Sequence, residues 1–335
     1  MANGDDSGAP AVAAGPAGSR RIDWIDLARG VALVAMAIYH FSWDLEFFGY
    51  LDPGTAGTGP LKWFARSIAS SFLILVGVSL VLAHGRQIRW RPFGKRLATV
   101  VAAALLITVA TWWFTPDAFV FFGILHQIAF ASLVGLAFLR LPVPVLLVLA
   151  AAWFSVPFWG QAYVFAQPWL LWIGLSPIPP RSNDFVPVFP WFSAVLTGVA
   201  VGRLMTITQA TDRLRRHPPT DNIVTRGLLF IGRHSLVTYL VHQPILIAGL
   251  YLFSLVIPAA ERPPEVVFAS YCERDCTTVN TKAFCEAFCG CAITGLQEKG
   301  LFEAVFAGEI NQTSDPRVAE VIDECSYEAN TIDDN

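Results

Sequence analysis

Residues 21–50 read RIDWIDLARGVALVAMAIYHFSWDLEFFGY. After a charged start, the stretch is mostly apolar from about residue 28 to residue 48, which is about the 20 residues that a helix needs to cross a bilayer. His40 and Asp44 interrupt this apolar run. An ionisable group at such depth is costly unless it faces the protein interior or water, so intramembrane His and Asp residues mark functional sites by default. The stretch therefore predicts a membrane helix that contributes residues to a functional site.

The composition of the whole chain indicates the same class. It has 335 residues, of which 54% are apolar and only 15% are charged, whereas a globular domain has about a quarter charged residues. We predict an all-α integral membrane protein with about seven transmembrane helices. The predicted spans are 28–48, 67–84, 97–115, 118–139, 142–159, 190–208 and 227–257. The 160–189 segment is rich in Trp and interrupted by Pro, which favours an interfacial or re-entrant segment.

The distribution of basic residues predicts the orientation. Arg and Lys cluster before the first span, between the second and third, and before the last, while the alternate loops contain few of them. By the positive-inside rule the N-terminus is cytoplasmic, and seven spans place the C-terminal part outside. Residues 1–19 are rich in Ala and Gly without a basic residue, which predicts a disordered leader rather than a signal peptide. We expect a multi-pass protein of the cell (inner) membrane with a periplasmic or extracellular tail.

The charge balance changes sharply near residue 260. Residues 1–260 contain 18 basic and 11 acidic residues, and residues 261–335 contain 5 and 15. This shift predicts a membrane domain at 20–258 and a separate acidic, cysteine-rich extracytoplasmic tail at 261–335.

All six cysteines lie in that tail. An even number in an extracytoplasmic module predicts up to three disulfides, although the pairings stay open. The pairs Cys272/Cys276 and Cys285/Cys289 are each spaced by four, so each pair shares one face of a helix, as in a stapled helical hairpin. A metal or iron–sulfur site is the alternative interpretation.

His40 and Asp44 are the first candidate catalytic residues. Spacing of four puts both side chains on one helix face, where Asp44 can accept a hydrogen bond from the imidazole. An acid behind a histidine fixes its tautomer and stabilises its charged form, as a general base requires. A structural pair that fastens helices together is the simpler alternative.

Two further histidines are predicted at a similar depth. Counting helical rise from the predicted span ends places His126 about 12 Å from the outer surface and His242 in the outer half, near the level of His40. His126 and His242 therefore join the candidate catalytic residues. Three histidines are also compatible with a metal site, but we expect no metal.

The inner side of the membrane carries a concentration of cationic residues. Because guanidinium groups suit phosphates, the loop after the second span predicts a phosphate-binding floor. Its candidate residues are Arg86, Arg89, Arg91, Lys95 and Arg96. Arg29 is a further candidate at the inner end of the first span, although pairing with Asp26 would also explain it. Retention of the loop on the inner side is the simpler explanation of these charges.

Three stretches resemble the catalytic-domain family of heparan-alpha-glucosaminide N-acetyltransferase: RIDWIDLARGVALVAMAIYHFSWDL, FLILVGVSLVLAHG and FFGILHQIAF. The later GRHSLVTYLVHQPI is similar to the broader integral-membrane acyltransferases. The resemblance covers about residues 20–258. It implies transfer of acetyl from cytosolic acetyl-CoA to a sugar amine or hydroxyl on the other side, with His40 central to the chemistry.

The residues and the resemblance together predict one mechanism. Acyl-CoA places its phosphates on the Arg86–Arg96 loop, and His40 acts as general base or becomes acylated. His126 and His242 position the acceptor or stabilise the oxyanion. The expected partners are the lipid bilayer, acyl-CoA and an extracytoplasmic carbohydrate; a homo-oligomer is compatible with the sequence, and no nucleic acid is expected.

Two other functions fit parts of the sequence. His40, Asp44 and His126 would also suit the proton relay of a proton-coupled transporter. A membrane anchor that presents the cysteine-rich tail is the second alternative. Dependence on acyl-CoA separates the acyltransferase from both.

Overall fold

A computed structural model describes residues 21–260, 262–277 and 279–333. The predicted leader, residues 1–19, lies outside them. All regular secondary structure in the described residues is helical, which confirms the all-α class. The α-helices of these residues are α1 (Asp23–Phe47), α2 (Gly59–His84), α3 (Trp90–Phe114), α4 (Ile124–Gly135), α5 (Val143–Ser155), α6 (Val188–Ile207), α7 (Ala210–Arg216), α8 (Ile223–Arg233), α9 (Ser235–Val256), α10 (Pro264–Cys276), α11 (Lys282–Glu298), α12 (Phe302–Phe306) and α13 (Pro316–Asp333).

The helices have the lengths and compositions of a membrane protein. Within the described residues, five helices are long and apolar enough to span a bilayer: α1, α2, α3, α6 and α9. The α4 and α5 segments are apolar but shorter. The protein is therefore an all-α membrane protein, while the count of seven spans and the orientation stay predictions.

Several predicted spans have different boundaries in the structure; α2 and α3 begin at Gly59 and Trp90 rather than at 67 and 97. The predicted span 227–257 is wrong as one helix, because α8 ends at Arg233 and α9 begins at Ser235, with His234 outside helical geometry at φ −106°, ψ 30°. The fourth helix begins at Ile124 rather than at residue 118, after a single 3₁₀ turn at Pro116–Ala118. The 160–189 segment forms only short 3₁₀ turns before α6 begins at Val188.

The described chain divides into two compact units, one from residues up to 32 and 71–235, the other from 33–70 and from 236 onward. In the first unit, α2 and α6 approach closely through glycines. A Cβ on Gly198 would lie 2.1 Å from the Ile74 carbonyl oxygen, and one on Gly77 would lie 2.3 Å from the Val195 carbonyl oxygen. Phe192 is fully buried in this core. Small residues let membrane helices pack at this distance.

The tail belongs to the second unit and has its own core. Cys272–Cys289 and Cys276–Cys285 join α10 to α11, and Cys291–Cys325 joins α11 to α13. The disulfides and the stapled hairpin are thus confirmed. Each cysteine on α10 pairs with the antiparallel partner on α11, since positions spaced by four on both helices face each other. The buried residues of this core are Ala292, Leu296, Leu301, Phe302, Val318, Val321 and Cys325.

The connection between α1 and α2 is tied to the ends of its neighbours in the second unit. Glu46 accepts hydrogen bonds from the amides of Gly54 at 2.6 Å and Ala56 at 2.7 Å. Asp52 forms an ion pair with Arg262 at 3.0 Å. These contacts hold the connection against the last turns of α1 and the chain that follows α9.

Candidate active site

A buried polar group lies on α1 and α9 in the second unit. The rings of His40 and His242 meet edge to face, with their centroids 5.0 Å apart. One turn along α1, Asp44 is 0% exposed, and its Oδ1 accepts a hydrogen bond of 2.6 Å from Gln243 Nε2. We call His40, Asp44, His242 and Gln243 the histidine cluster.

Hydrogen bonding fixes the tautomer of His242. Its Nδ1 lies 2.6 Å from the Tyr239 carbonyl oxygen. Because a carbonyl only accepts, Nδ1 carries the proton, and the neutral imidazole keeps its lone pair on Nε2. This Nε2 is buried and has no hydrogen-bond partner among the described residues. A backbone carbonyl thus orients His242 in the way a general base requires.

The histidine cluster contains two more buried acceptors without a partner in the described part of the chain, Asp44 Oδ2 and Gln243 Oε1. An unsatisfied buried polar atom costs on the order of 1–3 kcal/mol. With His242 Nε2, these oxygens make three acceptors in one cluster. The arrangement suits a ligand that donates several hydrogen bonds.

A second feature is a cavity of about 1230 Å³ in the first unit. Seven arginines and two aspartates line it, so its charge is strongly positive. The charged lining residues are Arg21, Asp26, Arg29, Arg86, Arg89, Arg96, Arg203, Asp212 and Arg215. We call it the arginine cavity.

Some of these arginines are held by protein groups and others are not. Arg29 donates to Asp26 at 2.8 Å and also to Ser79. Within residues 21–260, 262–277 and 279–333, no carboxylate pairs with Arg86, Arg89 or Arg96. Guanidinium groups without carboxylate partners are suited to phosphate.

Comparison with known proteins places the chain in a family. The profile described as heparan-alpha-glucosaminide N-acetyltransferase, catalytic, matches residues 21–244. The chain belongs to this family. Membership supports a transmembrane acetyltransferase in general. No curated protein and no solved structure matches the chain significantly.

The family match covers the lining of the arginine cavity and all four residues of the histidine cluster. Acetyltransferases of the heparan-alpha-glucosaminide N-acetyltransferase type use acetyl-CoA as donor, which fits a cationic cavity that suits phosphates. The cysteine-rich tail follows the matched residues.

The structure does not contain the predicted hydrogen bond between His40 and Asp44. Neither ring nitrogen of His40 has a hydrogen-bond partner among the described residues, and Asp44 is bound by Gln243 instead. The spacing of four does put Asp44 one turn from His40, but the donor to the Asp44 carboxylate is the side-chain amide of Gln243 on α9. Sequence reasoning missed Gln243; its one signal was an amide inside an apolar span, beside His242.

His126 lies in the other unit, in the first turn of α4, and both of its ring nitrogens have partners. Nδ1 accepts from the Gly123 amide at 3.2 Å, so Nε2 carries the proton and donates to Thr108 Oγ1 at 3.1 Å. The helix start at 118, from which its depth is counted, is wrong because α4 starts at Ile124, while the depth itself stays a prediction. These contacts favour a capping role over the predicted catalytic or relay role.

Asp184 completes the same helix start. Its carboxylate accepts from the Ile124 amide at 2.8 Å. Burial raises the pKa of this carboxyl to about 6, and the hydrogen bond from the amide opposes that rise. The amides of Gly123 and Ile124 at the start of α4 are therefore occupied by protein groups.

The predicted phosphate floor divides into two sets. Arg86, Arg89 and Arg96 line the arginine cavity, as does Arg29. Arg91 and Lys95 are exposed and are not among the residues that line it. The reason is helical: α3 begins at Trp90, and a helix turns the side chains at 91 and 95, spaced by four, to one face and Arg96 to another.

Proposed function

We propose that the protein transfers acetyl from acetyl-CoA to an amine or hydroxyl, with the acceptor bound at the histidine cluster. The observation that carries this proposal is the set of three buried hydrogen-bond acceptors beside His40: Asp44 Oδ2, His242 Nε2 and Gln243 Oε1. Family membership supplies the reaction class. The cluster supplies the groups that would bind and deprotonate an acceptor.

The chemistry of the cluster favours an amine over a hydroxyl as the reacting group. A hydroxyl donates one hydrogen bond, whereas an amine donates two and an ammonium three. Asp44 adds a carboxylate that attracts a cation. An amino sugar on the extracytoplasmic side, the acceptor predicted from the resemblance, would satisfy these acceptors.

We assign the proton transfer to His242 and keep two roles for His40. His242 Nε2 takes a proton from the acceptor amine as the amine nitrogen attacks the acetyl carbonyl. In direct transfer, the carbon–sulfur bond of acetyl-CoA breaks in this step and CoA leaves as thiolate, with His40 beside the acceptor as a second base. In two-step transfer, His40 first receives the acetyl with loss of CoA thiolate, and the acceptor then breaks the bond between acetyl and imidazole.

We propose that the arginine cavity binds the phosphates of acetyl-CoA. The supporting observations are its volume, its seven arginines and the absence of carboxylate partners for three of them in the described residues. Arg86, Arg89 and Arg96 would contact phosphate directly. Arg29, which is already bound to Asp26, would contribute charge.

The orientation remains part of the proposal. We place the N-terminus and the donor in the cytoplasm, and the tail at 261–335 outside the cell membrane, on the strength of the basic loops. The membrane domain at 20–258 would then carry the whole reaction.

Acetyl transfer in inside-out vesicles tests the assignment of residues. Radiolabelled acetyl-CoA is supplied outside the vesicles and a hexosamine inside, and the label on the hexosamine is counted. We expect His40→Ala and His242→Ala each to lower transfer by at least 10²-fold, the lower range of general acid–base contributions. His234→Ala, at an exposed histidine outside the cluster, is the matched control and should transfer normally. Full activity in His242→Ala would contradict the assignment of His242 as the general base.

The same vesicles without hexosamine separate the two roles of His40. Label bound to wild-type protein and absent from His40→Ala supports the acetyl-histidine intermediate. Transfer to hexosamine without any protein-bound label supports direct transfer.

A pair of arginine variants tests the donor site. Arg86→Gln should raise the KM for acetyl-CoA with little change in kcat, because a phosphate contact contributes to binding in ground and transition states alike. Arg91→Gln is the matched control, since Arg91 is on the same segment but not in the cavity lining. Equal effects of the two variants would contradict the donor site.

A further inference from the structure

Helix α8 is separate from the last span, although the sequence predicts one helix over 227–257. Its 11 residues extend about 16 Å, half the thickness of the hydrocarbon core. It contains Arg226 and ends at Arg233, and it is not one of the helices long and apolar enough to span. A helix of this length and composition lies along a membrane surface rather than across it.

Contacts within the first unit place α8 beside the start of α1. A Cβ on Gly232 would lie 1.8 Å from the Asp26 carbonyl oxygen, and one on Gly30 would lie 2.1 Å from the Leu228 carbonyl oxygen. The two backbones therefore touch over the first two turns of α1. Those turns carry the charged Asp26, which marks the end of the span that lies at the headgroup level.

The outer side of α8 is apolar and exposed. Ile223, Val224 and Phe230 are 84%, 66% and 65% exposed, respectively. Ile223 and Phe230 are seven residues apart and share one side of the helix, whereas Val224 lies about 100° around the axis, on the flank away from the arginines. Arg226 and Arg233, also seven apart, lie about 60° to 80° from that side at 100° per residue. An exposed apolar side flanked by arginines is typical of interfacial helices.

The neighbouring α7 adds cationic groups. Arg213, Arg215 and Arg216 lie in its last turn. Arg213 and Arg216 are exposed, and neither pairs with a carboxylate among the described residues. They are also not among the residues that line the arginine cavity, unlike Arg215. His217, which follows α7, accepts a hydrogen bond of 2.7 Å from Trp24 at the start of α1, the end of α1 that α8 also contacts. Exposed guanidinium groups at this end of α1 complement anionic phospholipid headgroups.

We propose that α7 and α8 form a surface element that lies in the headgroup layer and binds anionic phospholipids, with Ile223, Val224 and Phe230 among the acyl chains and Arg213 and Arg216 on the phosphates. This role is independent of acetyl transfer. The occupant is the bilayer that already surrounds the protein. A basic residue near an anionic surface strengthens binding about fivefold, so the two arginines together should contribute about thirtyfold.

Fluorescence of the full-length protein in lipid nanodiscs tests the position of α8. The Val224→Cys variant is labelled with an environment-sensitive dye, since the structure pairs all six natural cysteines in disulfides. We expect strong quenching by lipids brominated near the headgroup and weak quenching by iodide in the buffer. Strong iodide quenching with no effect of brominated lipid would overturn the proposal. So would disulfide dimers at position 224, because a second copy would then cover this side.

Lipid competition tests the arginines. Phosphatidylglycerol bound per protein is measured by mass spectrometry after exchange in mixed phosphatidylglycerol and phosphatidylcholine vesicles. Arg213→Gln/Arg216→Gln should lower the preference for phosphatidylglycerol about thirtyfold. Arg181→Gln, at an exposed arginine before α6, is the matched control and should keep the preference. An unchanged preference in the double variant would overturn the assignment.

Discussion

The bond between Asp44 and Gln243 predicts a specific pattern of stability changes. Asp44→Leu and Gln243→Met replace each partner by an apolar side chain of similar size. Gln243→Met alone leaves a fully buried carboxylate without its donor. The double variant removes the carboxylate as well. We therefore expect the double variant to be more stable than Gln243→Met alone.

The size of the coupling follows from the state of Asp44. The carboxylate is 0% exposed and its bond to Gln243 is 2.6 Å long, as expected for a charge-assisted bond. Hydrogen bonds to charged groups contribute about 1.5–3 kcal/mol, whereas neutral bonds between membrane helices average about 0.6 kcal/mol. We expect a coupling free energy of at least about 1.5 kcal/mol.

A double-mutant cycle measures this coupling. The free energy of unfolding is measured for the wild type, both single variants and the double variant in one bilayer system. The control cycle pairs Gln243→Met with Asp52→Asn, which removes a carboxylate whose ion pair is with Arg262, and it should be additive. A coupling at or below about 0.6 kcal/mol in the main cycle would refute a charge-assisted bond.

Three further predictions follow from other contacts. The raised pKa of Asp184, about 6 in the folded protein against 3.8 ordinarily, means that ionisation opposes folding above pH 6 and not below pH 4. Asp184→Asn keeps the acceptor for the α4 amide, so it should raise the thermal midpoint at pH 7.5 and have little effect at pH 4. Gly198→Ala places a methyl carbon 2.1 Å from a carbonyl oxygen of α2 and should cost about 1–3 kcal/mol of unfolding free energy, whereas Gly94→Ala, with nothing within 4 Å, should be neutral or stabilising. Removing the disulfide between Cys291 and Cys325, which closes 34 residues, should destabilise the tail by about 3.8 kcal/mol and so increase its proteolysis. Removing Cys276–Cys285, which closes 9 residues, should cost only about 2.6 kcal/mol.

Much of the fold could be predicted because a bilayer sets the length of a spanning helix and a helix sets the spacing of residues on one face. Apolar length located the spanning helices, and the spacing of four within Cys272/Cys276 and Cys285/Cys289 anticipated a stapled hairpin. The boundary at His234 could not be predicted in the same way. Gly232, Arg233, His234 and Ser235 interrupt the apolar residues between 223 and 257, but composition alone does not show whether such a short polar stretch ends a helix. The close approach of Gly30 and Gly232 to other backbones fixes α8 against the start of α1, and such tertiary packing leaves no local signal.

The candidate site was predictable in part for the same reason. Intramembrane His and Asp residues are costly, so His40, Asp44 and His242 stood out against apolar neighbours. Their roles were not evident from spacing. His126 had the same signal, yet its nitrogens bond to Gly123 and Thr108 at a helix start. A titratable residue within an apolar sequence shows that it has a partner, but not whether that partner is the protein or a ligand.

The unpartnered atoms of the histidine cluster distinguish these two cases. A buried carboxylate must be solvated by something, and on α1 alone only residues three or four positions away could do so. In the structure the donor is Gln243, 199 residues away in sequence, and it satisfies only one oxygen of Asp44. A pair that served only to hold helices together would be more stable if all its polar atoms formed hydrogen bonds, as both ring nitrogens of His126 do. Among the described residues the cluster instead leaves three acceptors without a partner, and for this reason we propose a hydrogen-bond donor from outside the protein as their partner.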